Sequence, residues 1–206
     1  MKRLFSYLLL LAAITAACSD NTDEIYTPGD DIEGSNDRYL VVYCSRTGNT
    51  AEMAQTIQSA LACDMITVNP ETPYDENYNA MLERAQAELD AIEQGHFPAI
   101  TTSVEDFVKY DIIFIGYPIW YNHIATPMQA FLHNHADLLA GKRIALFASS
   151  GSSGISTSEN DARSLAPNAE FTESLLLTSR TLGQMSEQIG TWLESLGATR
   201  ENNTEN

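Results

Sequence analysis

Basic residues are scarce in this chain of 206 residues, which has 11 Lys and Arg against 28 Asp and Glu and a formal net charge of -17. A nucleic-acid-binding surface needs a basic patch that neutralises phosphates, so we expect no nucleic-acid partner. An acidic surface of this size instead favours a protein partner whose docking surface is basic.

Cysteines are also few, and long apolar runs are missing from most of the chain. The presence of only 3 cysteines excludes a framework of disulfides. Cys44 and Cys63 both fit the pattern of buried apolar residues, and a single bridge between them is the alternative in an oxidising compartment. After residue 17 no window stays apolar for the roughly 20 residues of a membrane-spanning helix, which excludes a multipass membrane protein.

The N-terminus has the features of an export signal. Basic residues at positions 2 and 3 precede an apolar run that ends at Ala17 and is too short for a comfortable membrane span. We therefore assign residues 1–17 as a signal peptide. The sequence Thr15-Ala16-Ala17-Cys18 resembles a bacterial lipoprotein box, so Cys18 is the predicted lipidation site. Ordinary signal-peptidase cleavage, which would release a soluble secreted protein, is the alternative.

An acidic segment follows this leader. Residues 19–37 contain seven acidic and no basic residues, with turn formers at Pro28-Gly29 and Gly34-Ser35. Such a composition buries too little apolar surface to fold, so residues 18–37 are predicted to be a disordered tether. The exported chain is expected at the cell envelope, anchored to a bacterial membrane through the lipid on Cys18.

Over residues 38–197, apolar runs of strand length alternate with amphipathic stretches of helix length. The predicted strands are residues 39–44, 65–68, 112–116, 144–148 and 175–177. The predicted helices are residues 50–61, 75–92, 127–135, 158–165 and 186–196. This alternation indicates a doubly wound α/β fold, in which helices cover both faces of a five-stranded parallel sheet. Residues 198–206 are predicted to be a disordered tail.

In a doubly wound sheet, ligands bind beyond the carboxyl ends of the strands. The loop after the first strand carries three hydroxyls and leads into a helix whose N-terminal N–H groups attract anions. It has neither the Gly-Lys-Ser/Thr of a triphosphate loop nor the Gly-x-Gly-x-x-Gly of a dinucleotide loop, so a phosphate monoester is the expected ligand. The candidate residues are Ser45, Arg46, Thr47, Gly48, Asn49 and Thr50. The structural alternative is a helix start that Thr50 caps.

This loop resembles the phosphate loop of the flavodoxins, which runs Ser/Thr-x-Thr-Gly-x-Thr and matches at Ser45, Thr47, Gly48 and Thr50. The segments Glu71-Thr72-Pro73-Tyr74 and Tyr117-Pro118-Ile119-Trp120 resemble one subgroup of flavodoxin-like proteins, so the resemblance covers about residues 39 to 196. It implies a sheet of strand order 2-1-3-4-5 that binds FMN between strands one and three.

The resemblance also implies that two further loops hold the isoalloxazine ring of FMN. After the third strand, Trp120 offers a flat apolar face for stacking, and the predicted contact residues are Pro118, Ile119, Trp120, Tyr121 and Asn122. Asn122 stands where relatives often have Gly, and Asn tolerates the positive φ that Gly adopts there. After the fourth strand, the pyrimidine side is expected to contact Ser149, Ser150, Gly151 and Ser152. This third loop has no Tyr to cover the ring, which leaves one ring face open.

These loops predict an FMN-binding, flavodoxin-like protein that exchanges electrons with a redox partner at the cell envelope. The cofactor carries the chemistry, so no catalytic side chain is predicted. An FMN-dependent NAD(P)H oxidoreductase resembling the quinone reductases is the second hypothesis, because an open ring face would admit a substrate. A binding module of the same fold without flavin is the third.

Two other groups of polar residues carry no predicted site. His123, His133 and His135 lack the spacing of a metal set and are interpreted as surface or helix-end residues. On the second helix, one solvated face is predicted to hold Glu83, Glu88, Asp90 and Glu93.

Overall fold

The computed structural model describes residues 38–200 of the chain. The predicted signal peptide, the lipidation site Cys18, the tether and residues 201–206 lie outside the described residues. The strands are β1 (Tyr39–Tyr43), β2 (Asp64–Thr67), β3 (Ile112–Trp120), β4 (His123–Ile124), β5 (Arg143–Ser150), β6 (Glu170–Phe171) and β7 (Leu175–Thr178). The helices are α1 (Asn49–Leu61), α2 (Tyr78–Ile92), α3 (Thr126–Asn134), α4 (Ser156–Leu165) and α5 (Met185–Ser195). No helix within residues 38–200 has the length and apolarity needed to cross a membrane.

All of these strands belong to one sheet. Its order is β2-β1-β3-β5-β6, with β4 paired to β3 and β7 paired to β5. Every pairing is parallel except that of β3 with β4. The five predicted strands correspond to β1, β2, β3, β5 and β7, so the doubly wound α/β fold and the order 2-1-3-4-5 are confirmed.

Alternate residues of the central strands enter two separate hydrophobic layers. In β1, Leu40 and Val42 pack into the layer beneath α2, α3 and α4. Tyr39 and Val41 pack into the opposite layer, beneath α1 and α5. Burial on both faces explains why the strands appear in the sequence as continuous apolar runs. Ala198, which the sequence places in the tail, is 4% exposed and also packs into the second layer.

The edge of the sheet next to β5 is formed by two short strands. The first, β6, pairs with the start of β5, whereas β7 pairs with its end from Phe147 to Ser150. Between them the Thr172 N–H donates to the carbonyl of Ile144 at 2.9 Å. The indole of Trp192 on α5 donates to the carbonyl of Glu173 at 3.0 Å. Thus α5 supplies the hydrogen-bond donor for a backbone carbonyl at the break between β6 and β7.

At two positions in the core, the neighbouring atoms restrict which side chain or which tautomer can be present. A Cβ atom at Gly116 in β3 would lie 2.1 Å from the Phe147 ring on β5, so the ring occupies the space of a side chain there. At the end of α3, His135 Nδ1 lies 2.8 Å from the carbonyl oxygen of Phe131, and the Val104 N–H donates to Nε2 at 3.2 Å. These contacts require the neutral Nδ1–H tautomer, and burial lowers the pKa of His135.

Cys44 and Cys63 are both free thiols, so the alternative of a bridge between them is wrong. Cys44 belongs to one hydrophobic layer and Cys63 to the other. Burial raises the pKa of each thiol to about 12. The two side chains therefore act as small apolar core residues and are poor nucleophiles.

Candidate functional site

The first loop joins β1 to α1 and leaves the start of that helix without a side-chain cap. Gly48 is the N-cap residue, with a φ of 95° that favours glycine. No side chain within the described part of the chain caps the helix. Thr50 instead lies in the first turn, where its buried Oγ1 is 2.8 Å from the Ser149 Oγ. The alternative that Thr50 caps the helix is therefore wrong, and the N–H groups of the first turn point toward the loop.

The hydroxyl of Ser45 in the same loop is buried without a hydrogen bond to the described residues. Native proteins pair most buried polar atoms, because an unpaired one costs about 1 to 3 kcal/mol. A phosphate group fits here, because its oxygens would accept hydrogen bonds from the Ser45 hydroxyl and from the uncapped N–H groups of the helix. The sequence prediction of a phosphate loop fits this geometry.

Arg46 contacts the segment before α2. Its guanidinium donates to the carbonyl oxygens of Asp75 at 3.2 Å and Glu76 at 2.9 Å. The same group lies over the ring of Tyr78, 5.8 Å from its centroid. Arg46 therefore ties the first loop to the segment before α2 through its Nη2 group.

A cavity of about 230 Å³ opens beside this loop. It brings together four of the residues predicted to contact the cofactor, namely Ser45, Arg46, Pro118 and Trp120. The rest of its wall comes from Cys44, Pro127 and the loop after β2, including Asn69, Pro73 and Tyr74. The other predicted residues of the second and third loops do not line this cavity. They are Ile119, Tyr121, Asn122, Ser149, Ser150, Gly151 and Ser152.

The second predicted loop is a β-hairpin. The sequence prediction that the third strand ends at Gly116 was wrong, because β3 continues to Trp120. The turn consists of Tyr121 and Asn122, with φ values of 50° and 72°. Two consecutive positive φ values are typical of the tight turns that connect twisted strands. Asn122 thus adopts the left-handed backbone that the sequence analysis expected it to tolerate.

Trp120 forms a wall of the cavity from within the hydrophobic core. The residue is 9% exposed, and the ring of Tyr74 meets it edge-on with 5.0 Å between the centroids. Tyr121, the next residue, is 44% exposed, and its hydroxyl donates to the carbonyl of Leu82 at 3.4 Å. The hairpin therefore carries one buried aromatic ring that lines the cavity and one exposed ring that contacts α2.

A polar network that the sequence did not reveal holds Tyr74 in place. Its hydroxyl donates to the carboxylate of Glu88 and contacts the Thr126 hydroxyl at 2.8 Å. Arg84 pairs with Glu88 at 2.7 Å and lies 4.0 Å from the centroid of the Tyr74 ring. Burial and then the Glu88 hydrogen bond raise the pKa of Tyr74. The prediction that Glu88 is solvated was wrong, since its side chain is 15% exposed.

The third predicted loop is shorter than the sequence suggested, because β5 continues through Ser150. Ser149 is buried against Thr50, so its hydroxyl braces the start of α1. Residues 151–155 form the connection to α4, and Gly151 and Ser152 are exposed. The third loop is thus exposed at Gly151 and Ser152, whereas the Ser149 hydroxyl is already paired.

The family model of the flavodoxins matches residues 38–196. The chain belongs to the flavodoxin family. This result confirms the resemblance that the sequence carries at its phosphate loop. Comparison with the curated proteins gave no match.

Solved structures agree with membership of the flavodoxin family. The chain is 30% identical to a Bacteroides eggerthii protein assigned to the flavoproteins, with a TM-score of 0.66 over 78% of this chain and 98% of that one. A similarly assigned protein of Bacteroides uniformis is 26% identical, with a TM-score of 0.63 over 74% and 97% of the two chains. A flavoprotein of Lactobacillus acidophilus, solved in complex with FMN, is 24% identical, with a TM-score of 0.58 over 72% and 98%.

Proposed function

We propose that the chain is an FMN-binding electron-transfer protein of the cell envelope. The observation that carries the proposal is the buried, unpaired hydroxyl of Ser45 beside the uncapped start of α1. Membership of the flavodoxin family and the FMN complex of the Lactobacillus acidophilus flavoprotein support the choice of cofactor. FMN supplies the redox chemistry when bound, so the chain needs no catalytic acid, base or nucleophile.

The chain's own residues bind and orient the cofactor. The Ser45 and Thr47 hydroxyls and the first N–H groups of α1 hold the phosphate, aided by the positive end of the helix dipole. Trp120 supplies an apolar wall for the ring, and the N–H groups of residues 151 and 152 bind its polar edge. These hydroxyl and N–H donors are neutral, so they do not compensate the negative charge of the bound phosphate, which adds to that of an already acidic chain.

Retention of FMN by the purified chain tests the cofactor assignment. The chain is incubated with FMN, excess flavin is removed, and the remaining flavin absorbance is recorded. The parent chain should retain a perturbed flavin band, and Thr47→Ala should weaken it because the loop loses a donor. The matched control is Thr56→Ala on α1, whose hydroxyl donates to the carbonyl of Glu52 at 2.8 Å, away from the loop. Absence of retained flavin in the parent would leave a flavin-free binding module.

The envelope location rests on the sequence before residue 38. The basic start, the apolar run and Cys18 support lipid anchoring. Growth of expressing cells with radiolabelled palmitate should label the parent chain, and Cys18→Ser should abolish the label. Labelled Cys18→Ser or an unlabelled parent would count against the anchor.

The excess of 28 acidic over 11 basic residues supports a redox partner with a basic docking surface. Electron transfer to this partner should slow as salt is added, because salt screens the attraction between the two surfaces.

A second candidate function is an FMN-dependent NAD(P)H oxidoreductase. It is favoured by the exposed residues at the tip of the third loop, which carries no aromatic side chain to cover the ring. In this case the FMN-loaded chain, mixed with NADPH or NADH without oxygen, should lose its flavin absorbance. If the absorbance persists with both nucleotides while dithionite removes it, electron transfer between protein partners remains the assignment.

A further inference from the structure

A histidine and an aspartate meet beside the hairpin that carries Trp120. His123 Nδ1 lies 3.0 Å from Asp161 Oδ2 and 3.2 Å from Oδ1. The Ile124 N–H donates to the same Oδ2 at 3.2 Å and so helps to fix the carboxylate. Because an ionised carboxylate only accepts hydrogen bonds, Nδ1 carries the hydrogen of the neutral ring and Nε2 has the free lone pair. The imidazole is therefore oriented with Nε2 ready to accept a proton.

The pair connects the second loop of the proposed flavin site to the helix that follows the third loop. His123 is the cross-strand partner of Trp120. Asp161 lies on α4, the helix that begins directly after the third loop. The His123 side chain is 41% exposed, so water can reach the imidazole, whereas the Asp161 side chain is 18% exposed. This placement gives a solvent-accessible imidazole that is paired across the hairpin with a residue of the cavity wall.

Besides Asp161, α4 carries the charged residues Glu159 and Arg163, and the Arg163 guanidinium lies over the Phe171 ring, 5.0 Å from its centroid. On β3, the Tyr117 hydroxyl is turned into the core, where it donates to Ser158 Oγ at 3.2 Å. In the hairpin turn, Tyr121 directs its hydroxyl to α2. Within residues 38–200, Asp161 is the ionisable group recorded in contact with the imidazole.

We propose that His123, oriented by Asp161, is the proton-coupling residue of the flavin site. The inference rests on the proposed function. When an external reductant delivers one electron to the bound cofactor, the site gains one negative charge, and Nε2 of His123 takes one proton from water. The imidazole becomes positive, Asp161 stays ionised, and the net charge of the site is unchanged. Compensation is favourable because the chain already has a formal net charge of -17.

NMR titration of the FMN-loaded full chain tests this coupling without altering any residue. The His123 ring signals are followed against pH in the oxidised chain and again after reduction with dithionite. We expect reduction to raise the proton affinity of His123 by about tenfold. His133 is the internal control, because it stacks on Phe97 at the other end of α3 and should titrate alike in both states.

The pH dependence of the midpoint potential is the second readout. Over the pH range in which reduction adds a proton to His123, the potential of the parent should fall more steeply with pH than that of His123→Gln. The His133→Gln variant should follow the parent, and Asp161→Asn should lower the proton affinity of His123 in both redox states. An unchanged His123 titration in a chain that retains FMN would overturn the proposal alone and leave the pair as a contact between hairpin and helix. A chain that retains no FMN would overturn the proposed function as well.

Discussion

Replacing Ser45 by Ala is expected to weaken FMN binding without weakening the FMN-free protein. The Ser45 Oγ is buried and has no hydrogen-bond partner among the described residues. An unsatisfied buried hydroxyl costs about 1 to 3 kcal/mol, so its removal should leave the free energy of unfolding unchanged or raise it by up to that amount. A paired buried serine would give the opposite result, because its replacement leaves the partner without a hydrogen bond.

The effect on the loaded protein follows from the charge of the phosphate. A hydrogen bond to a charged group contributes about 1.5 to 3 kcal/mol, so its loss should raise the Kd for FMN by about 10-fold to 150-fold. Flavin fluorescence titration measures the Kd, and urea unfolding measures the stability of the FMN-free chain. Riboflavin, which lacks the phosphate, should bind the parent and Ser45→Ala equally. A variant that unfolds more easily without FMN and binds FMN as tightly as the parent would refute the reasoning.

Three further predictions concern the free energy of unfolding. Gly116→Ala should lower it by about 1 to 3 kcal/mol, because the added methyl group would meet the Phe147 ring, and Phe147→Leu should recover part of the loss in urea unfolding. Thr50→Val should cost about 1 to 3 kcal/mol by stranding the buried Ser149 hydroxyl, and a double variant with Ser149→Ala that recovers nothing would contradict this. Burial lowers the pKa of His135, so below a pH of about 6.5 this histidine binds a proton more readily in the unfolded chain than in the folded one. The free energy of unfolding should therefore decrease as the pH falls below that value, and His135→Gln should flatten this slope in thermal unfolding.

The fold was predictable because its central strands are buried on both faces. Runs such as residues 112–115 stay apolar without alternation, and helices of ordinary length separate them. The start of α2 was less predictable, because Asp75 and Asn77 are both residues of the types that cap helices. Asn77 accepts hydrogen bonds from the N–H groups of Asn79 and Ala80, so α2 begins at Tyr78 and not at Asp75.

The hairpin was missed because its local signals point in different directions. Gly116 and Pro118 suggest a break in the strand, yet β3 continues beyond both. The turn uses Tyr121 at a positive φ, where a bulky residue is uncommon, so only Asn122 gave a local signal. A two-residue β4 is too short to show any periodicity.

The candidate site was only partly predictable, because some of its contacts join residues that are separated in the chain. The phosphate loop is contiguous in sequence, so residue order alone brings its donors together. The contacts of Glu88 with Tyr74 and of Asp161 with His123 join residues far apart in the chain. No periodicity encodes such contacts, and a charged residue on a helix reads as solvated until its partner is known. The unpaired state of Ser45 likewise depends on the packed neighbours and not on the loop motif.

The divided outer edge of the sheet has a consequence for association between chains. An unpaired edge strand is a template on which another chain can extend the sheet and aggregate. Here the outermost strands have only two and four residues, and the carboxylate of Glu170 lies in the shorter one. The break between them prevents a continuous ladder of backbone donors and acceptors along this side. At this edge, a second copy of the domain therefore has no long strand with which it could pair to extend the sheet.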